Sequence, residues 1–168
     1  MPRSFDVSTD TSASVENIHS AFTDKQYWLA RITAYGGDTM TLDSLIVDDG
    51  GTVAVTTTQD LRHELLPGVL AKVFPRDLKV IRREIWRPVE GRRVHGDVSI
   101  TASGAPASGV GSAVLAPIAE GSRLRFSGMV QVSIPLVGGR IEKYIGVQIA
   151  KEIPEVQRFT TNWISEHA

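Results

Sequence analysis

The C-terminal part of the chain decides the fold, and residues 123–166 read RLRFSGMVQVSIPLVGGRIEKYIGVQIAKEIPEVQRFTTNWISE. From Arg123 to Ile134 apolar and polar side chains alternate, which is the period of two expected of a half-buried strand. Pro135 ends this strand because proline cannot donate a hydrogen bond to a ladder. From Arg140 to Glu166 the apolar residues recur at helical spacing. The sequence therefore predicts a half-buried strand followed by the longest helix of the chain.

Two residues within this stretch predict local irregularities. Gly128 falls on the packed face of the strand, where a missing side chain is typical of a bend, a bulge or the close approach of a helix or ligand. Pro154 lies inside the helical pattern. Because proline removes one backbone hydrogen bond and clashes with the preceding turn, we expect a kink near residues 150–154 or two abutting helices.

The rest of the chain supplies one more strand, two short helices and a meander. Residues 3–10 alternate apolar and polar side chains as a strand does, and two short helices follow, with the small residues 12–14 and then Asp24 as candidate N-caps. From Met40 onward, extended runs are separated by turn signals with no intervening helix, beginning with the hairpin signal at residues 48–51. This order lets a curved antiparallel sheet wrap around the final helix, with one face of the sheet covered.

Composition limits the classes of function. The chain has 168 residues, 42% hydrophobic and 22% charged, which fits a single domain over residues 1–168. With 18 basic and 19 acidic side chains, no overall field attracts nucleic acid. The absence of cysteine excludes thiol catalysis and cysteine-type metal sites and fits a reducing compartment. We expect a cytoplasmic protein without a signal peptide or an integral membrane segment, because no apolar run approaches about 20 residues.

The motifs of several enzyme classes are missing from the sequence. No two of its histidines have the i, i+4 spacing of a helical metal site, so we expect no metal. There is no G-x-S-x-G nucleophile elbow, no P-loop and no dinucleotide fingerprint, so we expect neither serine hydrolase chemistry nor a cofactor. No catalytic residue follows from local motifs.

Three features remain as candidates for a binding site. The charged strand over residues 79–87 either forms a cross-strand charge ladder on the open face or points Arg83 or Glu84 into the interior, and alternation alone does not choose. Tyr144 and Gln148 are i, i+4 neighbours beside the apolar stripe of the long helix. The loop over residues 65–74 is rich in apolar residues and is either an exposed flap or a plug of the core.

The chain also resembles a known family. The order of elements, the opening residues 1–6, the stretch 133–146 and the closing residues 157–164 look like a domain-of-unknown-function family within the START-like, or polyketide cyclase (SRPBCC), superfamily. The resemblance spans essentially the whole chain. It implies an α+β helix-grip fold: a seven-stranded curved antiparallel sheet around a long C-terminal helix, two short helices after strand one, and an apolar cavity between sheet and helix. It carries no catalytic motif, and fold analogy alone does not assign a function.

Members of the superfamily bind lipids, sterols or polyketides, and some members are enzymes. The resemblance therefore implies a hydrophobic ligand for this chain and makes the apolar loop a candidate entrance flap. Our leading hypothesis is a binding protein for a small hydrophobic ligand. The alternatives are a polyketide cyclase-like enzyme using Tyr144, His95, Arg83 or Glu84, and an interaction module docking through the flap. The ligand's identity and the oligomeric state stay open. The candidate ligand-binding residues are Arg83, Trp86, Phe126, Tyr144, Gln148, Trp163, Leu70 and Phe74.

Overall fold

One antiparallel sheet of seven strands, in the order β1-β7-β6-β5-β4-β3-β2, carries the fold. The computed structural model describes residues 2–168, apart from the side chains of Leu65 and Val69. The strands are β1 (Arg3–Thr11), β2 (Met40–Val47), β3 (Val53–Leu61), β4 (Leu78–Val89), β5 (Arg93–Ser103), β6 (Ala107–Ile118) and β7 (Gly121–Val132). The helices are α1 (Val15–Phe22), α2 (Lys25–Tyr35), α3 (Gly68–Val73) and α4 (Gly138–Glu166). This is the predicted α+β arrangement of a curved sheet against a long C-terminal helix.

The alternation in β7 is confirmed residue by residue. Leu124, Phe126 and Val130 are buried, while Arg125, Ser127 and Met129 face outward. Gly128 lies on the buried face, and its strand pairs with β1 in unbroken register. A Cβ at Gly128 would come within 2.6 Å of Cζ of Phe5. The glycine therefore makes room for an aromatic ring from the neighbouring strand and does not mark a bulge.

The two short helices begin at the predicted caps. The side-chain oxygen of Ser14 accepts a hydrogen bond from the backbone N–H of Asn17, and Oδ1 of Asp24 accepts one from the N–H of Gln26 at 2.8 Å. Each bond satisfies a donor that a helix N-terminus leaves free. The residues that these helices bury against the sheet are Val15, Ile18, Ala21, Phe22, Tyr27, Trp28 and Ile32.

Helix α4 is a single helix of 29 residues that runs through Pro154, so the alternative of two abutting helices is wrong. Proline's fixed φ is compatible with a helix and costs it one hydrogen bond, and here both halves of α4 pack on the core. Near its beginning, the buried carboxylate of Glu142 accepts a hydrogen bond of 2.8 Å from the N–H of Val132. This bond joins the helix to the last residue of β7. No helix within residues 2–168 is both long enough and apolar enough to cross a membrane.

The apolar loop before β4 packs into the protein. Leu66 and Phe74, on either side of α3, are buried in a second core cluster with Val132 of β7 and Ile141 of α4. The backbone N–H of His63 donates to Asp77, and the His63 ring is hydrogen-bonded to the carbonyl of Ala71. The segment is thus a plug of the core in this conformation, and the side chains of Leu65 and Val69 lie outside the described residues.

A buried hydrogen bond between α2 and α4 supports a prediction about stability. The hydroxyl of Thr160 donates to the carbonyl of Val156, so it accepts from the hydroxyl of Tyr27. Both side chains are fully buried. Thr160→Val leaves the buried O–H of Tyr27 without this hydrogen-bond acceptor and should lower the free energy of unfolding by about 2 kcal/mol. Tyr27→Phe removes the donor itself and should lower it by about 1 kcal/mol. Urea denaturation of both variants measures the difference, and the reverse order would contradict the assigned donor.

Candidate functional site

A cavity lies between the concave face of the sheet and α4. Its volume is about 70 Å³, which is more than the space that a single water molecule needs. Its apolar walls include Phe5, Phe22, Trp86, Val98, Ile100, Gly109, Gly111, Leu124, Phe126, Val130, Ile149, Ile153 and Val156. The space is small, largely apolar and bounded by aromatic rings on one side.

The floor of the cavity is built from aromatic rings that lie over glycines of neighbouring strands. The Trp86 ring covers Gly96, where a Cβ would come within 2.5 Å of Cζ3, and the Phe126 ring covers Gly111. Any larger residue at Gly96 or Gly111 would displace its ring. Gly109, on the same face of β6, has no ring above it, and a Cβ there would meet only the carbonyl oxygen of Met129 at 3.4 Å. The cavity therefore extends over Gly109.

A buried carboxylate marks the polar end of the cavity. Glu84 is 3% exposed. Its Oε1 accepts a hydrogen bond from Nε1 of Trp86 at 3.2 Å, and its Oε2 lies 3.3 Å from Nε of Arg82. Burial raises the pKa of Glu84, but the charges of Arg82 and Arg31 and the Trp86 N–H outweigh it and hold the pKa below its ordinary value. Glu84 is therefore ionised at neutral pH.

A second, smaller cavity of about 40 Å³ adjoins this polar end, between α2, strands β2–β4 and α4. Both cavities are lined by Arg31, Arg82, Glu84 and Glu152. Arg31 places its guanidinium carbon 4.9 Å from the centroid of the Trp28 ring. Among the described residues, no carboxylate lies within ion-pairing distance of Arg31. The polar cluster of these four residues thus separates an apolar space from a more polar one.

Two buried donors at the cavity have no hydrogen-bond partner among the described residues. One is Nε2 of Gln157, whose residue is 4% exposed, and the other is Nε of Arg82. The Arg82 nitrogen is close enough to Glu84 for an ion pair but is not aligned for a hydrogen bond. Unsatisfied buried donors cost about 1–3 kcal/mol each and commonly mark a place where another group binds.

Two of the eight residues predicted for ligand binding, Trp86 and Phe126, line the cavity. Arg83 is exposed on the opposite face of the sheet. Gln148 is exposed, and Tyr144 is half-buried outside the lining. The other three pack elsewhere: Leu70 and Phe74 in the second core cluster, and Trp163 edge-on to Tyr27.

The four titratable residues considered for catalysis do not converge. Glu84 lies in the cavity wall, while Arg83 and His95 lie on the outer face of the sheet. Tyr144 is on α4 away from the cavity lining. Within residues 2–168, no group of three or more histidine or carboxylate side chains is arranged to hold a metal ion.

Sequence reasoning missed Arg31, Arg82, Glu152, Gln157 and Gly109. A signal for Gln157 was present, because it continues the i, i+4 row of Ile149 and Ile153, placing an amide on the apolar stripe of α4. For Arg82 and Glu84 the signal was weaker. The alternate positions Ile81 and Ile85 are also apolar, so both faces of β4 looked suitable for burial.

Comparison with known proteins defines the class of fold first. The structure of TTHA0849 from Thermus thermophilus is similar with a TM-score of 0.59 and 14% identity over 99% of both chains. Norcoclaurine synthase from Thalictrum flavum, in complex with dopamine and hydroxybenzaldehyde, is similar with a TM-score of 0.52 and 16% identity, over 100% of this chain and 89% of that one. At such identities the likeness establishes the helix-grip fold alone.

Similarity of amino-acid sequence identifies the family. Residues 6–164 match the family described as a protein of unknown function (DUF2505), and the chain belongs to that family. The uncharacterized protein Rv0481c from Mycobacterium tuberculosis is 40% identical over 173 residues, covering 99% of both proteins.

Proposed function

We propose that this protein is a START-like binding protein for a small apolar ligand, held between the concave face of the sheet and α4. The observation that carries the proposal is the cavity over Gly109, which aromatic and aliphatic side chains surround without filling. Apolar cores normally close such spaces, because an empty cavity loses packing energy. An unfilled apolar space beside a polar cluster is typical of a small-molecule site.

The size of the cavity limits the ligand. Pockets for drug-sized molecules commonly measure about 300–1,000 Å³, so a space of about 70 Å³ favours a single ring or a short alkyl chain over a sterol or a diacyl lipid. Transfer of such a group from water contributes about 25 cal/mol per Å² of apolar surface buried. The norcoclaurine synthase structure contains two single-ring molecules, which supports a ligand of this size in a fold of this type.

Isothermal titration with 3-phenylpropan-1-ol, a neutral single-ring molecule, tests the proposal. We expect saturable binding of one molecule per chain and competition by other small aromatic molecules, because the cavity has room for one such molecule. Mass spectrometry under non-denaturing conditions checks the stoichiometry and detects any copurified ligand. If neither this alcohol nor a panel of single-ring and short-chain molecules bound saturably, and no ligand copurified, the proposed function would be wrong.

A further inference from the structure

We propose that the ligand carries a carboxylate at one end and that Arg31, Arg82 and Gln157 bind it. This inference rests on the proposed function, since it assigns the polar end of a ligand whose apolar body fills the cavity. The chemistry sought is an apolar carboxylic acid with one ring or a short chain. It follows from the hydrogen-bonding groups and the charges that surround the polar end of the cavity.

The unpartnered groups at this end are donors. Gln157 contributes an amide N–H and Arg82 an Nε–H, both buried and without a hydrogen-bond partner among the described residues. Arg31, which carries only donors on its side chain, adds a guanidinium at the same wall. A ligand that accepts hydrogen bonds satisfies these groups. An ammonium group, which only donates, leaves the Gln157 and Arg82 donors unpaired.

The local charge favours an anion. Two guanidinium groups, from Arg31 and Arg82, line the wall, but only one of the two nearby carboxylates is buried. Glu84 is inside and already receives a hydrogen bond from Trp86 and the charge of Arg82. Glu152 is exposed, so water screens its charge. At the cavity wall, two guanidinium groups therefore lie beside one buried carboxylate, and a ligand carboxylate pairs with the second guanidinium through charge-assisted hydrogen bonds.

Three ligands that differ only at one end test this assignment: 3-phenylpropionate, 3-phenylpropan-1-ol and 3-phenylpropylamine. Isothermal titration at neutral pH should rank the carboxylate tightest and the amine weakest, with at least about a tenfold difference between these two. If the three bind equally, or the amine binds tightest, the carboxylate assignment is wrong while the proposed function stands. If none of the three binds and no molecule of the single-ring and short-chain panel binds either, the proposed function itself fails.

Substitutions locate the carboxylate. Gln157→Leu and Arg31→Met should each weaken 3-phenylpropionate by about tenfold or more and leave the affinity for 3-phenylpropan-1-ol within about threefold. Arg83→Met is the matched control, because Arg83 neighbours Arg82 in sequence but is exposed on the other face of β4. Thermal unfolding of each variant verifies that it is folded. Equal losses for the acid and the alcohol, or a loss in Arg83→Met as large as in Arg31→Met, would overturn the proposal.

Discussion

Replacing Glu84 with leucine is expected to lower the free energy of unfolding by about 3 kcal/mol. The change leaves the charge of Arg82 beside an apolar side chain and removes the acceptor of the Trp86 N–H. The expected loss is at the lower end of the range of about 3–5 kcal/mol for breaking a buried ion pair, because the Arg82 side chain is 32% exposed and keeps part of its hydration. Urea denaturation at neutral pH measures it. A loss below about 1 kcal/mol would place the pair among surface ion pairs and contradict its structural role.

The pH dependence separates the charge of Glu84 from its shape. Its pKa in the folded protein lies below the ordinary value of 4.5, since the nearby cations outweigh the effect of burial. A carboxylate whose pKa is lowered by folding stabilises the protein at pH values above the pKa that it has in the unfolded chain. This contribution disappears as the pH falls through its pKa in the folded protein. Wild type and Glu84→Gln should therefore differ at neutral pH and converge as the pH falls below 4.5. A difference that did not change with pH would show that the charge contributes nothing.

Replacing Gly109 with leucine is expected to weaken binding of 3-phenylpropan-1-ol by at least about tenfold while the protein stays folded. Gly109 faces the interior beside the cavity, and a Cβ there meets only the Met129 carbonyl oxygen in ordinary contact at 3.4 Å. The four added carbon atoms then occupy the space that the ligand needs. Isothermal titration reports the affinity, and thermal unfolding reports the stability.

The matched control is the same substitution two residues along the strand. Gly111 shares the strand and the face with Gly109, but its Cα is covered by the Phe126 ring. Gly111→Leu should therefore cost about 1–3 kcal/mol of stability through overpacking, a loss that we do not expect in Gly109→Leu. Unchanged affinity for 3-phenylpropan-1-ol in a folded Gly109→Leu protein would show that the ligand binds elsewhere.

The fold was largely predictable because its signals are local. Alternation in β7, the capping residues Ser14 and Asp24 and the spacing of apolar residues in α4 each specify one element. Positions that depart from the regular pattern were harder to predict from the sequence. Gly128 suggested a bulge, yet it accommodates the ring of Phe5, a residue far away in sequence. Only the register between β1 and β7 reveals that contact.

The candidate site was less predictable because it depends on which face of β4 points inward and on which side of α4 faces the sheet. With Val80 and Trp86 on one face and Ile81 and Ile85 on the other, the sequence of β4 does not specify which face is buried. It therefore predicts Arg83 as a ligand contact, whereas Arg82 is the arginine that faces inward. On α4 the stripe was recognised, but Tyr144 and Gln148 flank it and Gln157 lies on it. Side chains that meet across three elements leave no short motif in the sequence.

The central claim is that a small apolar ligand lies between the sheet and α4, and contacts between ligand protons and isoleucine methyl groups test it most directly. With 3-phenylpropionate and methyl-labelled protein, we predict intermolecular nuclear Overhauser effects to Ile100, Ile149 and Ile153, which line the cavity. Ile46, which is 63% exposed on β2, is the control and should show none. Effects at Ile46 with none at Ile149 and Ile153 would place the ligand on the surface and contradict the claim.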